Sequence, residues 1–289
     1  MLSLIDIEFL EKKALSERKL YELGDFSPIG EKIFNIIENI YSAFVLLYPL
    51  QTKSVAGFIR KQNDIVQIFI NTGFNTSYQI FTAAHELYHM IQFKQADNDD
   101  FIVCNNIDIS ETFADNVTST DEYKANYFAA AFLLPRDIIK LRFSNIRNRN
   151  FVEEEIIMEI LKVQAEYAVP YKTIVKRLIE LKIISISEFQ KLLEHEDNIS
   201  EYYRMLDIDI ATQICNLEKT SNRKYHTLNV PKIAFDAYRK NIITISKLES
   251  VISQYDKSLA DFKVIKKDLE PINIDFSNYG IGDDEIDED

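Results

Sequence analysis

The sequence predicts an α+β protein that is mostly helical, with a small β-sheet packed on a helix that carries paired histidines. Three observations support this fold class. Apolar residues at helical spacing extend over most of the 289 residues, short extended runs are confined to residues 44–70, and a polar turn joins the last two runs. We therefore expect one early sheet followed by a long series of helices.

The first third of the chain predicts two helices, three strands and a third helix. Ser27-Pro28 has the residue types of a helix start, and an isoleucine stripe follows it. The polar turn Lys61-Gln62-Asn63-Asp64 predicts a β-hairpin. The expected elements are helices at 3–21 and about 28–41, strands at 44–48, 55–60 and 65–70, and a helix at about 76–93.

The third helix contains the motif H-E-x-x-H, formed by His85, Glu86 and His89. Two imidazoles four residues apart project from one face of an α-helix, a spacing that suits a tetrahedral Zn²⁺. Glu86 lies about 100° further round the helix, beside the metal, where a carboxylate can take a proton from water. The pattern predicts one zinc ion per chain, with Glu86 as the catalytic base.

A catalytic zinc site needs a third protein ligand. A second helix is predicted from residue 121 until Pro135 stops it, and on it Glu122 shares a face with small alanines. Such alanines let two helices approach closely, so we expect Glu122 to reach the metal. Spacing alone leaves other carboxylates open: Glu111, Asp115 and Asp121. The remaining histidines, His195 and His226, are distant in sequence. The same ligands would also accept Mn²⁺, Fe²⁺ or Co²⁺.

Composition excludes several function classes. The net charge of −13 argues against a basic surface for sequence-independent nucleic-acid binding, although an acidic tail at 283–289 supplies six of those charges. The chain has no apolar run of eighteen residues and no signal peptide pattern at its start, so we expect a cytoplasmic protein without membrane contact. The distant Cys104 and Cys215 are expected to be free, buried thiols.

These motifs resemble the paired signature of the ImmA/IrrE family of metallopeptidases. The resemblance rests on Phe81-Thr82-x-Ala84-His85-Glu86-Leu87-x-His89 and on Glu122-x-x-Ala125-Asn126-x-Phe128-Ala129-x-x-x-Leu133-Leu134-Pro135-Arg136. The upstream segments Val55-Ala56-Gly57-Phe58 and Ile68-Phe69-Ile70-Asn71 are similar to the strands that precede the metal helix in that family. It covers residues 28–185 well.

The resemblance implies a zincin-like, gluzincin-type peptidase core in which His85, His89 and Glu122 bind zinc and Glu86 is the catalytic base. It also implies a function: cleavage of a helix-turn-helix transcriptional repressor, which derepresses genes of a mobile element, phage or stress response. Two features depart from the family pattern and bear on substrate access. Tyr88 stands where many members have Gly, and the stretch from Lys94 to Thr120 is long and is expected to form a flap.

The rest of the chain predicts helices without catalytic spacing. Residues 151–181 have helix-turn-helix proportions, and Lys172, Lys176 and Arg177 could contact phosphate, although packing or repressor docking is favoured over DNA contact. We find no internal repeat. The expected domains are a peptidase domain at 1–150, a helix-turn-helix-like segment at 151–185, a helical recognition or regulatory domain at 186–270 and a disordered acidic tail at 271–289.

Two other functions fit the same residues. A repressor-binding module could use the metal site structurally without cutting its partner. An aminopeptidase would need a site for the free amino group of its substrate, for which no acidic motif lies near the metal helix. An endopeptidase also needs a donor for the oxyanion of the tetrahedral intermediate. The sequence offers four candidates: Arg60, Tyr88, Tyr123 and Tyr127.

Overall fold

Two compact units make up the protein, Met1–Leu228 and Asn229–Asp289. The computed structural model describes residues 2–40, 43–62, 65–93, 100–105, 120–147, 152–226 and 230–264. The acidic tail and most of the expected flap therefore lie outside the described residues. The boundaries expected at residues 150 and 185 both fall inside the first unit, and the functional segments that they delimit stay a prediction.

The described chain is mostly helical, which confirms the predicted α+β class. Eleven α-helices are present in the described ranges: α1 (Leu4–Leu20), α2 (Lys32–Asn39), α3 (Thr76–Phe93), α4 (Thr120–Leu133), α5 (Arg136–Arg147), α6 (Glu153–Tyr167), α7 (Tyr171–Glu180), α8 (Ile186–Glu194), α9 (Ile208–Leu217), α10 (Val230–Arg239) and α11 (Ile245–Ser253). Two 3₁₀ segments, Glu196–Met205 and Leu259–Phe262, follow α8 and α11. No described helix is long and apolar enough to cross a membrane.

Within the described residues the sheet has five strands, in the order β4-β2-β3-β1-β5. The strands are β1 (Phe44–Tyr48), β2 (Val55–Gln62), β3 (Ile65–Asn71), β4 (Asp100–Asn105) and β5 (Tyr225–His226). The predicted hairpin is confirmed, because β2 and β3 pair antiparallel. Strand β1 pairs with β3 in parallel, and the sequence analysis did not include β4 or β5.

Helix α3 lies at the centre of the first unit. It packs on β2 and β3 on one side and on α4 on the other, and α1 covers α4. Nearly all of its side chains are buried, including polar ones such as Gln79, Thr82 and His85. A buried polar side chain is costly unless it has a partner. Gln79 and Thr82 have such partners, because they donate to the carbonyls of Phe74 and Tyr78, whereas neither carboxylate oxygen of the buried Glu86 has one among the described residues.

A segment from the end of α9 to β5 returns to the start of α3. Glu218 accepts hydrogen bonds from Asn75 Nδ2 at 2.7 Å and from Gln164 Nε2 at 2.7 Å. Thr72 Oγ1 then donates to the carbonyl of Arg223 at 2.8 Å, and β5 adds antiparallel to β1. We call residues 218–226 the return segment. It ties a late part of the sequence to the sheet and to the metal helix.

Helices α6 and α7 have the expected helix-turn-helix proportions, but the second helix is packed into the protein. Arg177 is 0 % exposed and forms an ion pair with Glu11 at 2.8 Å. Lys176 lies over the ring of Tyr123, with Nζ 5.3 Å from the ring centroid. The idea that Lys176 and Arg177 contact phosphate was therefore wrong for these two residues, because both are committed to internal contacts.

Two helical hairpins, α7–α8 and α10–α11, share one local design. Their first helices have 10 residues each and their second helices have 9. Lys182 and Asn241 occupy equivalent turn positions, both with φ of +57°. Ser185 and Thr244 then cap the second helices. The interpretation that this region has no repeat was wrong, because the turns share sequence as well as backbone geometry: Ile183-Ile184-Ser185-Ile186-Ser187 corresponds to Ile242-Ile243-Thr244-Ile245-Ser246.

Three local expectations also needed correction. Helix α2 begins at Lys32 instead of near Ser27-Pro28, since Gly30 has φ of +51° and cannot continue a helix. Apolar residues at helical spacing predicted a helix over 245–259, but α11 ends at Ser253, soon before Asp256 with its φ of +55°. Cys215 is a free thiol, as expected, but it is exposed instead of buried.

Candidate metal centre

Helix α3 presents His85 and His89 on the face that meets α4. The helix begins where Asn75 Oδ1 accepts a hydrogen bond from the backbone amide of Tyr78 at 2.9 Å, a cap that satisfies one free donor of the first turn. The two rings lie one turn apart, with centroids 4.9 Å from each other, and are almost fully buried. Their Nε2 atoms are 3.1 Å apart.

Glu122, in the first turn of α4, completes the cluster. Its Oε2 lies 3.0 Å from His85 Nε2, and its Oε1 lies 3.2 Å from His89 Nε2. The buried Ala125 and Ala129 follow on α4, and their small side chains allow the close packing of α3 on α4 that the sequence predicted. The carboxylate and the two imidazoles thus offer three ligand atoms around one point.

Asn126 fixes the orientation of the first histidine. Its Oδ1 lies 2.9 Å from His85 Nδ1, and the amide is buried, with 2 % exposure. Because a carbonyl oxygen only accepts, Nδ1 carries the proton and the Nε2 lone pair is directed at Glu122 and His89. A partner of this kind on the far ring nitrogen is typical of histidines that bind metals.

The three ligand atoms fit a divalent cation. Ligands at about 2.0 to 2.1 Å in a tetrahedral site are separated from each other by roughly 3.3 to 3.4 Å. The observed separations of 3.0, 3.1 and 3.2 Å are close to that value. With its Nδ1 proton committed to Asn126, His85 places a lone pair against a carboxylate oxygen and a second imidazole. Three electron-rich atoms at such distances repel one another unless a cation lies between them.

The electrostatics of the cluster favour an ionised carboxylate and a neutral second imidazole. Burial alone would raise the pKa of Glu122, but its polar contacts with His85 and His89 outweigh burial and lower the pKa to about 2. Burial lowers the pKa of His89. Anionic carboxylate and neutral imidazole are the forms that bind a metal.

Glu86 is fully buried beside the cluster, and neither carboxylate oxygen has a hydrogen-bond partner among the described residues. Burial, and secondarily the charge of Glu122, raises its pKa well above the ordinary value. An unpaired buried carboxyl costs stability, so its retention points to a role in chemistry.

Gly57 makes room for this carboxyl. A Cβ atom at Gly57 would lie 3.0 Å from Glu86 Oε1, 2.8 Å from Thr82 Cγ2 and 2.8 Å from the carbonyl oxygen of Phe69. Only a residue without a side chain lets β2 pass this close to α3. The sequence analysis noted the V-A-G-F run without assigning this role to its glycine.

Comparison with protein families gives a match over this region. Residues 43–179 match the peptidase M78 family, described as the IrrE N-terminal-like domain. The chain therefore carries an IrrE N-terminal-like domain. The match confirms the family predicted from the two motifs, and it spans strands β1 to β4, α3 and α4. No curated protein and no solved structure gives a significant match.

Of the rival carboxylates in the IrrE N-terminal-like domain, the structure describes Asp121 alone. Asp121 is largely exposed and lies 3.9 Å from Lys124, outside the cluster. Glu111 and Asp115 lie outside the described residues. His195 pairs with Glu153, which removes it from consideration as a ligand of this site.

Three of the four candidate oxyanion donors are engaged elsewhere. Tyr127 donates to Glu11 Oε1 at 2.8 Å, Tyr123 lies under Lys176, and Arg60 donates to Gln62 on its own strand. Tyr88 is buried, with its ring centroid 5.7 Å from that of His89. Burial, together with the charge of Asp121, raises its pKa to about 12, so the phenol stays protonated. The Tyr88 side chain also hydrogen-bonds to Gln92, one turn further along α3, but its ring contacts His89, so Tyr88 remains the candidate in contact with the cluster and its role stays a prediction.

Asn126 is the residue whose role sequence reasoning missed, although a signal was present. Glu122 and Asn126 stand four residues apart, so a metal ligand and a second polar residue share one helix face. A polar residue that follows a ligand by one turn, within a run of alanines, indicates a partner for another ligand.

Proposed function

We propose that the protein is a zinc-dependent endopeptidase that hydrolyses a peptide bond in a protein substrate. One observation carries this proposal: His85, His89 and Glu122 converge within 3.2 Å of one another while Glu86 lies buried and unpaired beside them. The peptidase family match supports the reaction class.

The residues divide the reaction between them. A divalent cation such as Zn²⁺, held by His85, His89 and Glu122, would activate a water molecule and polarise the scissile carbonyl. Glu86 takes the proton of the attacking water and delivers it to the leaving amine. Asn126 holds His85 in the tautomer that keeps its Nε2 free for the cation.

The ligand set supports catalysis over a purely structural metal. Structural zinc sites are closed by four protein ligands, whereas catalytic sites have three and leave a position for water or substrate. The cluster in the described residues contributes three ligand residues. The buried Glu86 adds the acid-base group that catalysis needs and that a structural site does not.

We infer that the substrate is a helix-turn-helix transcriptional repressor, whose cleavage in the cytoplasm derepresses genes of a mobile element, phage or stress response. The resemblance of the two motifs to the ImmA/IrrE family supports this substrate class. Helices α6 to α9 and the second unit would then provide recognition or regulation.

The test uses a helix-turn-helix repressor as the candidate substrate, called the regulator below. Purified wild type, loaded with Zn²⁺, is incubated with the regulator, and Glu86→Gln and Glu8→Gln are treated in parallel. We expect cleavage by wild type and by Glu8→Gln, which changes an exposed residue of α1. Glu86→Gln should bind Zn²⁺ normally and cleave at least about a hundredfold more slowly, because the base is lost while the ligands remain.

The outcomes separate the candidate functions. Equal cleavage by Glu86→Gln would remove Glu86 from the mechanism. Release of the regulator from its operator by Glu86→Gln, without cleavage by any variant, would instead favour a binding module. An N-terminally blocked peptide covering the cleavage site distinguishes an endopeptidase, which cuts it, from an aminopeptidase, which does not.

A further inference from the structure

Strand β2 is the part of the sheet that reaches the proposed catalytic carboxyl. Gly57 lies against Glu86 Oε1, and β2 pairs with β3 along its inner edge. A protein segment that presents a peptide bond to Glu86 and the metal ligands could therefore be held most directly by the outer edge of β2. Addition of an extended peptide to a strand edge is a general mode of peptide recognition.

The outer edge of β2 is occupied by the chain itself. Strand β4 pairs antiparallel along it, from Lys61 opposite Asp100 to Val55 opposite Asn105. This strand comes from the stretch between His89 and Glu122, so the chain leaves the metal helix, runs along β2 and returns to supply the third ligand residue. The backbone groups that could hold an added peptide are engaged in this pairing.

The alternative edge is poorly placed for catalysis. With β4 present, the outermost strand on this side of the described sheet is β4 itself. Neighbouring strands are about 4.8 Å apart, so a peptide added to β4 would lie roughly 9.6 Å from β2 instead of about 4.8 Å. Such a peptide would lie one strand further from Glu86 than a peptide added to β2, whose Gly57 lies against Glu86 Oε1.

We propose that β4 is an intramolecular strand that occupies the peptide-binding edge of β2, and that an extended segment of the protein substrate must displace it. The consequence is that the resting enzyme is autoinhibited, and this consequence rests on the proposed peptidase function. It also specifies the substrate. Ile102, opposite Ile59, packs partly against the core, so a displacing segment gains most if it places an apolar side chain at that position.

The test measures peptide binding in a background that cannot turn over. A fluorescein-labelled hexapeptide with the sequence of residues 100–105, with Ser in place of Cys, is titrated by anisotropy into Zn²⁺-loaded Glu86→Gln protein. The variant Ile102→Pro fixes φ at about −65°, away from the values of an antiparallel strand, and so disfavours β4, while Ile102→Val keeps the strand. We expect Ile102→Pro to bind the peptide at least about tenfold more tightly than its parent, because β4 no longer occupies the outer edge of β2. Ile102→Val should bind like the parent.

A second variant acts in the opposite direction. Arg60 and Phe101 are directly opposed in the ladder, a separation that a disulfide can span. The Arg60→Cys and Phe101→Cys pair, made with Cys104→Ser and Cys215→Ser, should lock β4 on β2. Oxidised protein with an intact Glu86 should lose cleavage of the regulator, and reduction with dithiothreitol should restore it. Circular dichroism and zinc content verify that each variant is folded.

The outcomes distinguish this inference from the proposed function. Equal peptide binding by Ile102→Pro and its parent, or no binding by either, overturns the role of β4, as does unchanged cleavage by the oxidised protein. If Ile102→Pro binds the peptide but no variant with Glu86 cleaves the regulator, strand displacement stands and the peptidase assignment fails. If wild type cleaves the regulator but Ile102→Pro gains no peptide binding, only the displacement inference fails.

Discussion

Replacement of Asn126 by alanine should weaken metal binding while leaving all three proposed ligands in place. The Asn126 amide is buried and accepts from His85 Nδ1 at 2.9 Å. Its loss leaves a buried N–H without a partner, which costs about 1 to 3 kcal/mol. It also allows the ring proton to move to Nε2, the atom that faces Glu122, where it competes with the cation.

Both effects act in the same direction, and loss of such a partner typically weakens metal binding about 10 to 100-fold. Since tenfold corresponds to about 1.4 kcal/mol, this range equals about 1.4 to 2.8 kcal/mol and agrees with the hydrogen-bond cost. The measurement is a competition titration of Zn²⁺ against a chromophoric chelator at fixed neutral pH. Asn126→Asp keeps an acceptor oxygen and should restore affinity to near the wild-type value.

Asn75→Ala provides the matched control for this prediction. Asn75 caps the N-terminal end of α3 and donates to Glu218 Oε2 at 2.7 Å. Its loss should therefore lower the melting temperature without changing zinc affinity. If Asn126→Ala binds Zn²⁺ as tightly as wild type, the assignment of Asn126 as the partner that positions His85 is wrong. Equal weakening by Asn126→Ala and Asn75→Ala would attribute the effect to general destabilisation.

Three further perturbations test other parts of the structure. Gly57→Ala would place a Cβ 2.8 Å from a backbone oxygen of β3. We therefore expect a stability loss of about 1 to 3 kcal/mol and slower cleavage, with zinc binding retained. Unchanged cleavage would contradict this expectation. Arg177→Met removes the buried cation that pairs with Glu11 and Glu180, although Glu11 keeps its contact with Arg136, and should cost about 3 kcal/mol in urea unfolding. A loss below 1 kcal/mol would refute the importance of the buried ion pair. A protein shortened to residues 1–185 should fold poorly, whereas residues 1–228 should fold and bind zinc, because only the longer chain keeps the return segment. Similar melting curves for the two would contradict the importance of that segment.

Helix α3 and the β2–β3 hairpin could be predicted from the sequence because the residues that determine them lie close together along the chain. The bounds of α3 follow from a cap, a continuous buried pattern and a metal motif within eighteen residues, and the observed helix, Thr76–Phe93, has the expected limits. Glu122 could be favoured over Asp121 because alanines follow it at helical spacing. In each case the residues that decide the structure are neighbours in sequence or on one helix face.

The features that sequence reasoning missed depend on partners far along the chain. Nothing local to β1 indicates that it pairs in parallel with β3 and antiparallel with β5, which comes almost 180 residues later. The basic side chain of Arg177 suggested an exposed role, but Glu11, in the first helix, makes its burial possible. Burial of a charge depends on such a distant partner, and a single-sequence pattern does not reveal it.

The return segment has a consequence for biosynthesis. A ribosome delivers α3, α4 and the whole candidate centre well before residues 218–226 emerge, and N-terminal regions generally fold first. Until then the nascent chain lacks β5, so the edge of β1 is open and could pair with another strand, which is a common route to aggregation. The first unit would therefore be completed only once residue 226 has left the ribosome, and slow elongation before that point would lengthen the period in which a chaperone is needed.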